Sequence, residues 1–207
     1  MLAKNALTTV ERMKLMLGLS NVVNEQMEEI IVLLINKASS WIERQVGRHL
    51  GLDTYIQKYE ANGSQELVLL EYPIVSIEYI KENGSVVDPS LYDYSQGGNV
   101  GVVYRDDGWL KKGYHSGLAN DIIALKRAIE VSYSAGYILP KDATAEKPQT
   151  LPADLEGLVW EIVSQAYTNL QNGSQGLNAF SISDVRWDFD KSTHPEWTKL
   201  INLYRGY

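Results

Sequence analysis

The sequence predicts an α+β fold: mainly a helical bundle core, with inserted antiparallel β-hairpins and a short C-terminal helix. Three observations support this class. Apolar residues recur at three- and four-residue intervals over about 24–46 and again over about 153–170, as in amphipathic helices. From Thr54 onward the apolar residues alternate with polar ones, as in half-buried strands. Helical patterns therefore stand at both ends of the chain, with strand patterns between them.

Capping residues mark several ends of the predicted helices. Thr8 with Glu11 three residues later is typical of a capping box at the start of a short first helix. Gly47 follows the long helix and is the residue type that most often ends one, and Pro152 suits the first turn of the helix at 153–170. A last short helix is predicted over about 195–204.

The middle of the chain is predicted as strands and tight turns. The strand segments are TYIQKYE, ELVLLE, VSIEYIK and SVVD, and a further alternation predicts a strand over 128–133. The pairs Asn62-Gly63 and Asn83-Gly84 lie between successive segments and favour hairpins, and Pro73 is predicted to mark the corner between them. Six glycines punctuate 89–121, which we interpret as an irregular excursion with one short strand and exposed loops.

Composition excludes several classes of protein. The chain has 207 residues, 44% of them apolar, so it has enough material for a packed core. It has no Cys, which excludes disulfides, thiolate nucleophiles and Cys-ligated metals, and its three His are scattered. A formal charge of −7 argues against gripping of phosphate backbones. The longest aliphatic run has six residues, Ile30 to Ile35, so we expect no membrane span and folding in the cytosol.

Signatures of catalysis are absent, apart from two weak carboxylate pairs. Asp188 and Asp190 lie two apart on a predicted strand, so both would project from one face and could share a cation or act on a glycosidic bond. The ordinary alternative is that both aspartates lie on the solvent-exposed face of an amphipathic strand. Asp106 and Asp107 lack the spacing of a calcium loop and are interpreted as a solvated turn. The sequence therefore predicts no catalytic residue, no cofactor and no metal site.

Aromatic residues are the remaining candidates for function, with 13 Tyr and 5 Trp against 2 Phe. Tyr and Trp combine an apolar body with a polar tip and suit surfaces that another protein covers. One group lies in the glycine-rich excursion: Tyr92, Tyr94, Tyr104, Trp109 and Tyr114. A second lies in the C-terminal stretch and includes Trp197, Tyr204 and Tyr207. An interface, ordinary core packing and a carbohydrate platform all remain open for them.

The order of the segments resembles the head-tail connector, or adaptor, proteins of tailed bacteriophages. The long helix ends in ASSWIERQVGRHL, and ELVLLEYPIVSIEYIKENGSVV is similar to the family's run of strand, Tyr-Pro-Ile, strand and turn. IEVSYSAGY resembles the family's Val-x-Tyr-x-Ala-Gly-Tyr, and LPADL resembles its helix opening. Each element alone is unspecific. Their order, which extends over about residues 7 to 170, carries the resemblance.

The resemblance implies a structural virion protein made in the host cytoplasm and located at the head-tail interface. Family members form rings, commonly of twelve subunits, around the DNA channel. They attach to the portal on one side and to a stopper or tail-completion protein on the other, without a membrane. A single adaptor domain over 1–207 is implied, with a hairpin and loop insertion at about 54–134 and a docking segment at about 177–207. The residues expected at the portal are Trp197, Leu200, Ile201, Tyr204 and Tyr207. The excursion aromatics Tyr92, Tyr94, Tyr104, Trp109 and Tyr114 are expected at a neighbouring subunit or another partner.

Two other classes of function stay open on the sequence alone. The first is a carbohydrate-binding or glycoside-cleaving accessory domain that uses surface aromatics with Asp188 and Asp190. The second is an enzyme whose site has no recognisable signature. If the chain lines a DNA channel, its negative charge should repel phosphate and let DNA slide, so acidic residues are expected to outnumber basic ones on the channel wall.

Overall fold

The computed structural model describes residues 1–98, 100–109, 128–173 and 195–205. The chain forms two compact units. The first, called the helical unit, consists of Met1–Arg48 and Ile138–Tyr207. The second, called the sheet unit, consists of His49–Tyr137.

Within its described residues, the helical unit contains four α-helices. These are α1 (Val10–Met16), α2 (Glu25–Val46), α3 (Ala153–Gly173) and α4 (Pro195–Tyr204). α1 begins one residue later than predicted, because Thr9 and not Thr8 is the N-cap and accepts from the backbone N–H of Arg12. Gly47 caps the C-terminal end of α2. Its φ of 80° is the left-handed conformation, and its N–H donates to the carbonyl of Glu43 at 2.8 Å.

The core of the helical unit lies between α2 and α3, and α1 and α4 pack against both. The side chains that α2 buries include Ile31, Ile35, Ala38, Trp41, Ile42 and Val46. Those of α3 include Leu155, Leu158, Val159, Ile162, Val163 and Ala166. Both sets recur every three or four residues, so each helix turns one apolar stripe inward. No helix in the described ranges is long and apolar enough to cross a membrane.

The sheet unit contains two antiparallel sheets in its described part. The larger has the strand order β1-β7-β3-β4 and the smaller has the order β2-β6-β5. The strands are β1 (Asp53–Tyr59), β2 (Glu66–Val68), β3 (Ile74–Glu82), β4 (Ser85–Val86), β5 (Asp93–Tyr94), β6 (Val102–Tyr104) and β7 (Ile129–Ala135). Both sheets contribute to one hydrophobic core, to which Leu67 and Val103 belong from the small sheet and Val131 and Tyr133 from the large one.

The prediction of a mainly helical bundle decorated with hairpins is wrong. Seven strands in two sheets, counted over the described residues, build a core of their own. The reason is long-range pairing: β1 pairs along its length with β7, so that Asp53 lies opposite Ala135. Alternating apolar residues showed that strands exist, but they did not show which strand pairs with which.

One of the two predicted hairpins is present. Asn83-Gly84 joins β3 to β4, with positive φ at both residues. Asn62-Gly63 makes no hairpin between β1 and β2, because these strands belong to different sheets. There the Asn62 side chain accepts the N–H of Ser64 at 2.8 Å and shapes a local turn. Pro73 lies between β2 and β3, where the chain passes from the small sheet to the large one.

Candidate functional site

A buried carboxylate fastens the N-terminal segment to α3. Glu156 is 2% exposed and accepts from the hydroxyl of Thr8 at 2.8 Å. The guanidinium of Arg12 donates to both oxygens of Glu156, at 2.9 and 2.8 Å. Trp160 donates in turn to the Thr8 hydroxyl at 2.9 Å. Every polar group of this cluster serves the fold, so we interpret it as a structural clamp.

The C-terminal helix α4 is held on the helical unit by three of the residues predicted for the portal contact. Trp197 is 8% exposed, lies edge-on to Trp41 at a ring separation of 6.4 Å, and donates to Glu161 at 2.8 Å. Ile201, one turn later, is also buried. The hydroxyl of Tyr204 donates to the carboxylate of Asp154 at 2.8 Å.

The outward side of α4 is less apolar than its inner side. Leu200 and Tyr204 are half-buried, whereas Leu203, which is not among the residues predicted for the portal, is 75% exposed. Tyr207, the last predicted docking residue, lies outside the described residues. The described surface of α4 that is open to a partner therefore centres on Leu203.

A shallow groove of about 230 Å³ runs between the first part of α2 and the last part of α3. Met27, Ile30, Tyr167 and Leu170 line it with apolar surface, and amide side chains stand around them. It holds no convergent set of catalytic groups. A protein segment, not a reacting small molecule, would suit such a surface.

Two phenols organise the interior of the sheet unit. The hydroxyl of Tyr133 donates to Gln57 at 2.7 Å and accepts the N–H of Glu71 at 3.2 Å. Tyr59 accepts the N–H of Leu70 at 3.2 Å. Burial raises the pKa of Tyr133 and that of Tyr59 above their ordinary value of 10.0. The two tyrosines thus hold the segment after β2 against β1 and β7, a structural role.

The aromatic residues of the predicted excursion occupy different environments. Trp109 is 1% exposed, belongs to the core of the sheet unit, and has the Arg105 guanidinium 5.5 Å from its ring. Tyr92 and Tyr94 are half-buried against the same core. Tyr104 is 40% exposed. Tyr114 lies outside the described residues.

On the solvent face of the small sheet, Tyr104 lies beside residues that are not among the predicted interface residues. Glu66 of β2 and Asp93 of β5 are both register partners of Tyr104, and Val68 is the partner of Val102. Directly opposed residues project from the same face of a sheet, while Leu67, Val103 and Tyr94 project inward. We call Glu66, Val68, Asp93, Val102 and Tyr104 the Tyr104 face. The period-two pattern of ELV was the only sequence signal for it.

The acidic candidates make no catalytic or metal site in the described part of the chain. No group of three potential metal ligands occurs in the described ranges. Asp106 and Asp107 are exposed in a turn, as their sequence suggested. Asp188 and Asp190, the pair considered for glycoside chemistry, lie outside the described residues.

Comparison with solved structures finds the same fold in particles that transfer genes. A chain from the neck of an empty gene transfer agent particle, computed with C6 symmetry, has a TM-score of 0.58 at 12% identity. A chain from the virion of the native gene transfer agent particle scores 0.56 at 13%, and one from the native neck computed with C12 symmetry scores 0.53 at 12%. Each match covers 100% of this chain and 93% of the other. These likenesses establish the fold.

Family comparison gives the identity. No curated protein sequence matches the chain significantly. The family model for head completion proteins matches residues 6–155, well over half of the chain. The protein therefore belongs to the head completion protein family, and is a structural protein of a virion and not an enzyme.

Proposed function

We propose that this chain is an adaptor subunit of the virion neck, which forms a ring beneath the portal and extends the DNA channel toward the tail. The observation that carries the proposal is the family match over residues 6–155. Support comes from the fold, which is similar over the whole chain to neck chains of gene transfer agent particles. Twelve subunits is the ring size we propose, as the resemblance implies.

In this proposal the whole chain 1–207 acts as one adaptor domain. The insertion at about 54–134 contacts neighbouring subunits. Of its aromatic candidates, Tyr104 offers the exposed ring, and Tyr92, Tyr94 and Trp109 support the surface from the core side. Tyr114 is proposed for the same contact. A ring closes by a heterologous contact between two different flanks of each copy, so such a surface needs a different partner surface on the next subunit.

The C-terminal segment, about 177–207, is proposed to meet the portal. Trp197 and Ile201 position α4 from its buried side. Leu200, Tyr204 and Tyr207, with Leu203 beside them, supply the contact. A stopper or tail-completion protein binds the opposite side of the ring. DNA passes through without specific binding, because a channel wall with excess carboxylates repels phosphate over about 8 Å in physiological salt.

The first experiment removes the gene for this chain from a particle-forming strain and examines the particles by electron microscopy. We expect DNA-filled heads without tails, and tailed particles again when the gene is supplied on a plasmid. Normal tailed particles in its absence would refute the neck assignment.

A second experiment separates portal docking from ring formation. The purified chain, intact or lacking 195–207, is mixed with purified portal and imaged. We expect rings on the portal only with the intact chain. The matched control is Glu196→Ala on the exposed start of α4, which should bind normally. Equal portal binding by the truncated chain would refute the docking segment.

A further inference from the structure

We propose that the free chain forms a two-fold dimer in which strand β1 pairs antiparallel with β1 of a second copy, centred on Ile56. The inference goes beyond the proposed neck function, because it concerns the chain before it joins a particle. The juxtaposition that carries it is an exposed isoleucine at the middle of an unbroken sheet edge whose outward backbone groups have no strand beside them in the described ranges.

Strand β1 is the outermost strand on one side of the large sheet. Its seven residues pair with β7 in an unbroken register, from Asp53 opposite Ala135 to Tyr59 opposite Ile129. It contains no proline and no bulge, two devices with which natural proteins keep a free edge from pairing. β1 therefore presents a regular edge of seven residues.

The hydrogen bonds beside β7 show which backbone groups of β1 face away from the sheet. The carbonyl of Ala128, directly before β7, accepts from Asn83 at the end of β3, at 2.9 Å. The N–H of Gly136, directly after β7, donates to Pro73 in front of β3, at 3.0 Å. Bonding direction alternates along a strand, so the even-numbered residues of β7 face β3 and the odd-numbered ones face β1. Odd-numbered residues of the two strands are register partners, and the even-numbered residues of β1 therefore point away from β7.

Thr54, Ile56 and Lys58 carry the free edge of β1. The N–H of Thr54 donates to the neighbouring carboxylate of Asp53 at 3.0 Å, as expected for a group that β7 does not bind. No backbone group outside the large sheet bonds to any of the three, counted over the described residues. The N–H and C=O groups of Ile56 and Lys58 are thus open to a further strand.

The side chains along this edge are open to solvent in the single chain. Ile56 is 65% exposed, and the side chain of Lys58 is 59% exposed. Thr54 is exposed as well. An exposed β-branched residue in the middle of a regular edge favours pairing, because a second strand covers the side chain and completes the backbone hydrogen bonds together.

Strand length selects the occupant. On the opposite side of the large sheet, β4 pairs with only two residues of β3, which also carries two bulges. There the carbonyl of Ile80 already accepts from Val87 at 2.8 Å, and that of Ile74 accepts from Gly97 at 3.1 Å. The edge strands of the small sheet, β2 and β5, have three and two residues. Within the described residues, β1 of a second copy is therefore the strand that matches a seven-residue edge.

β1 is complementary to itself when two copies are aligned on Ile56. This residue is the fourth of seven, so an antiparallel pair centred on it overlaps both strands completely. Ile56 then faces Ile56 of the second copy, an apolar contact of the kind that stabilises cross-strand pairs. Thr54 faces Lys58 of the second copy, and each Lys58 keeps its own Glu130 at 3.5 Å. No like charges are opposed.

The symmetry of this pair confines it to the free chain. A contact between identical surfaces is isologous and closes after two copies, whereas a ring needs a heterologous contact. Pairing also covers an edge that is otherwise a template for non-specific strand addition. The dimer therefore protects the free chain from edge-to-edge aggregation until it joins the particle.

Single cysteines test the register, since the natural chain has no Cys. The purified Ile56→Cys chain is oxidised and examined by non-reducing electrophoresis. We expect a disulfide-linked dimer, because opposed residues have Cα atoms about 5.5 Å apart, within disulfide reach. The matched controls are Thr54→Cys alone and Lys58→Cys alone. In each control the two thiols lie roughly 14 Å apart in the dimer and should cross-link at least about tenfold less.

A mixture of the two control chains makes the decisive comparison. Thr54→Cys faces Lys58→Cys of the other copy in the proposed register, so oxidation of the mixture should link the two different chains. This arm keeps Ile56 in place and does not depend on the folding of the Ile56→Cys chain. A mixture that cross-links no more than either chain alone would overturn the inference, whatever the Ile56→Cys chain does.

Charge at the two-fold axis gives a second readout. Light scattering after size-exclusion chromatography should find the natural chain at the mass of two copies. Ile56→Lys places two lysines opposite each other and should raise the dissociation constant of the dimer at least about tenfold. Val86→Lys is the matched control, since Val86 is also 65% exposed but lies on β4, and it should leave the constant unchanged. A natural chain at the mass of one copy, or equal effects of the two substitutions, would contradict the β1 pair.

Failure of this inference is distinct from failure of the neck function. A free chain that is monomeric removes the dimer and leaves the neck function standing. Tailed particles that form normally without the chain would refute the neck assignment and leave the β1 pair as it is.

Discussion

The helical unit and the sheet unit use their large side chains differently. In the helical unit, Trp197 packs on Trp41, and Glu156 binds Thr8 and Arg12. These large aromatic and charged side chains therefore make contacts within the chain. In the sheet unit, Trp109 and Tyr133 fill the core, but Tyr104 and Val68 stay on the surface. An aromatic residue in a connector protein is therefore no sign of an interface until its burial within the chain is known.

The largest expected effect on stability comes from removing the Trp197 side chain, which holds α4 on the helical unit. Trp197→Ala should cost about 3 kcal/mol of unfolding free energy, since a buried indole and its hydrogen bond to Glu161 are lost. Urea unfolding measures the loss, and hydrogen exchange should locate it in the helical unit. Leu203→Ala, on the exposed side of the same helix, should change stability by less than about 0.5 kcal/mol. Equal costs for the two variants would mean that α4 does not pack through Trp197.

The clamp at Glu156 should give the next largest effect. Glu156→Gln should cost about 2 kcal/mol, because the buried position keeps an acceptor for Thr8 but loses the charge that pairs with Arg12. Thermal and urea denaturation both report it. Asp142→Asn, which removes the carboxylate of the surface pair with Lys141, is the control and should cost at most about 0.5 kcal/mol. If Glu156→Gln left the unfolding free energy unchanged, Glu156 would not act as a clamp.

In the sheet unit, removing one buried hydroxyl should have a smaller effect. Tyr133→Phe should cost about 1 kcal/mol, because the N–H of Glu71 loses its acceptor and Gln57 loses a donor. Tyr79→Phe removes a hydroxyl at 3.2 Å from Glu130 on the outer face, and should cost less. If Tyr79→Phe cost more stability than Tyr133→Phe, the Tyr133 hydroxyl would not be what holds the segment after β2.

The same phenols predict a loss of stability at alkaline pH. Burial raises the pKa of Tyr133 above 10.0, so above that pH the unfolded chain has lost a proton that the folded chain still holds. The buried, protonated Tyr133 therefore contributes its full share of the folding stability below about pH 10, and this stability is lost as the pH rises further. Denaturation curves between pH 9 and 11.5 should show the decline, and Tyr133→Phe should make it shallower. An unchanged slope in the variant would assign the decline to other groups.

The smallest effect on folding is expected at the Tyr104 face. Tyr104→Ser should change the unfolding free energy by less than about 0.5 kcal/mol, since the ring is 40% exposed. The same substitution should reduce incorporation into particles, which quantitative mass spectrometry of purified particles measures. A large loss of stability in this variant would make Tyr104 a core residue and remove the contrast between the two units.

Local signals in the sequence were sufficient for the helices. The predicted 24–46 corresponds to α2 at Glu25–Val46, and the last helix is found at Pro195–Tyr204. Both follow from a three- and four-residue apolar period, which needs no knowledge of the partner. The helix predicted to end at about 170 continues to Gly173.

Pairing over long distances could not be predicted. Asn62-Gly63 carries the residues of a hairpin, yet β1 pairs with β7 and not with β2, because turn residues specify where a chain reverses and not which strand lies beside it. The clamp at Glu156 could not be predicted for the same reason, since Thr8 and Glu156 are 148 residues apart in the sequence. Trp109 and Tyr104 both stood in a glycine-rich stretch, and only tertiary packing places one inside and the other outside.

A reconstruction of the neck by electron cryomicroscopy, from particles that contain this chain, tests the central claim most directly. We expect a closed ring of copies between head and tail in which each Tyr104 face is covered by the next copy and each Trp197 remains packed on its own Trp41. A neck without this chain, or a ring whose Tyr104 faces are open to solvent while Trp197 inserts into another protein, would contradict it.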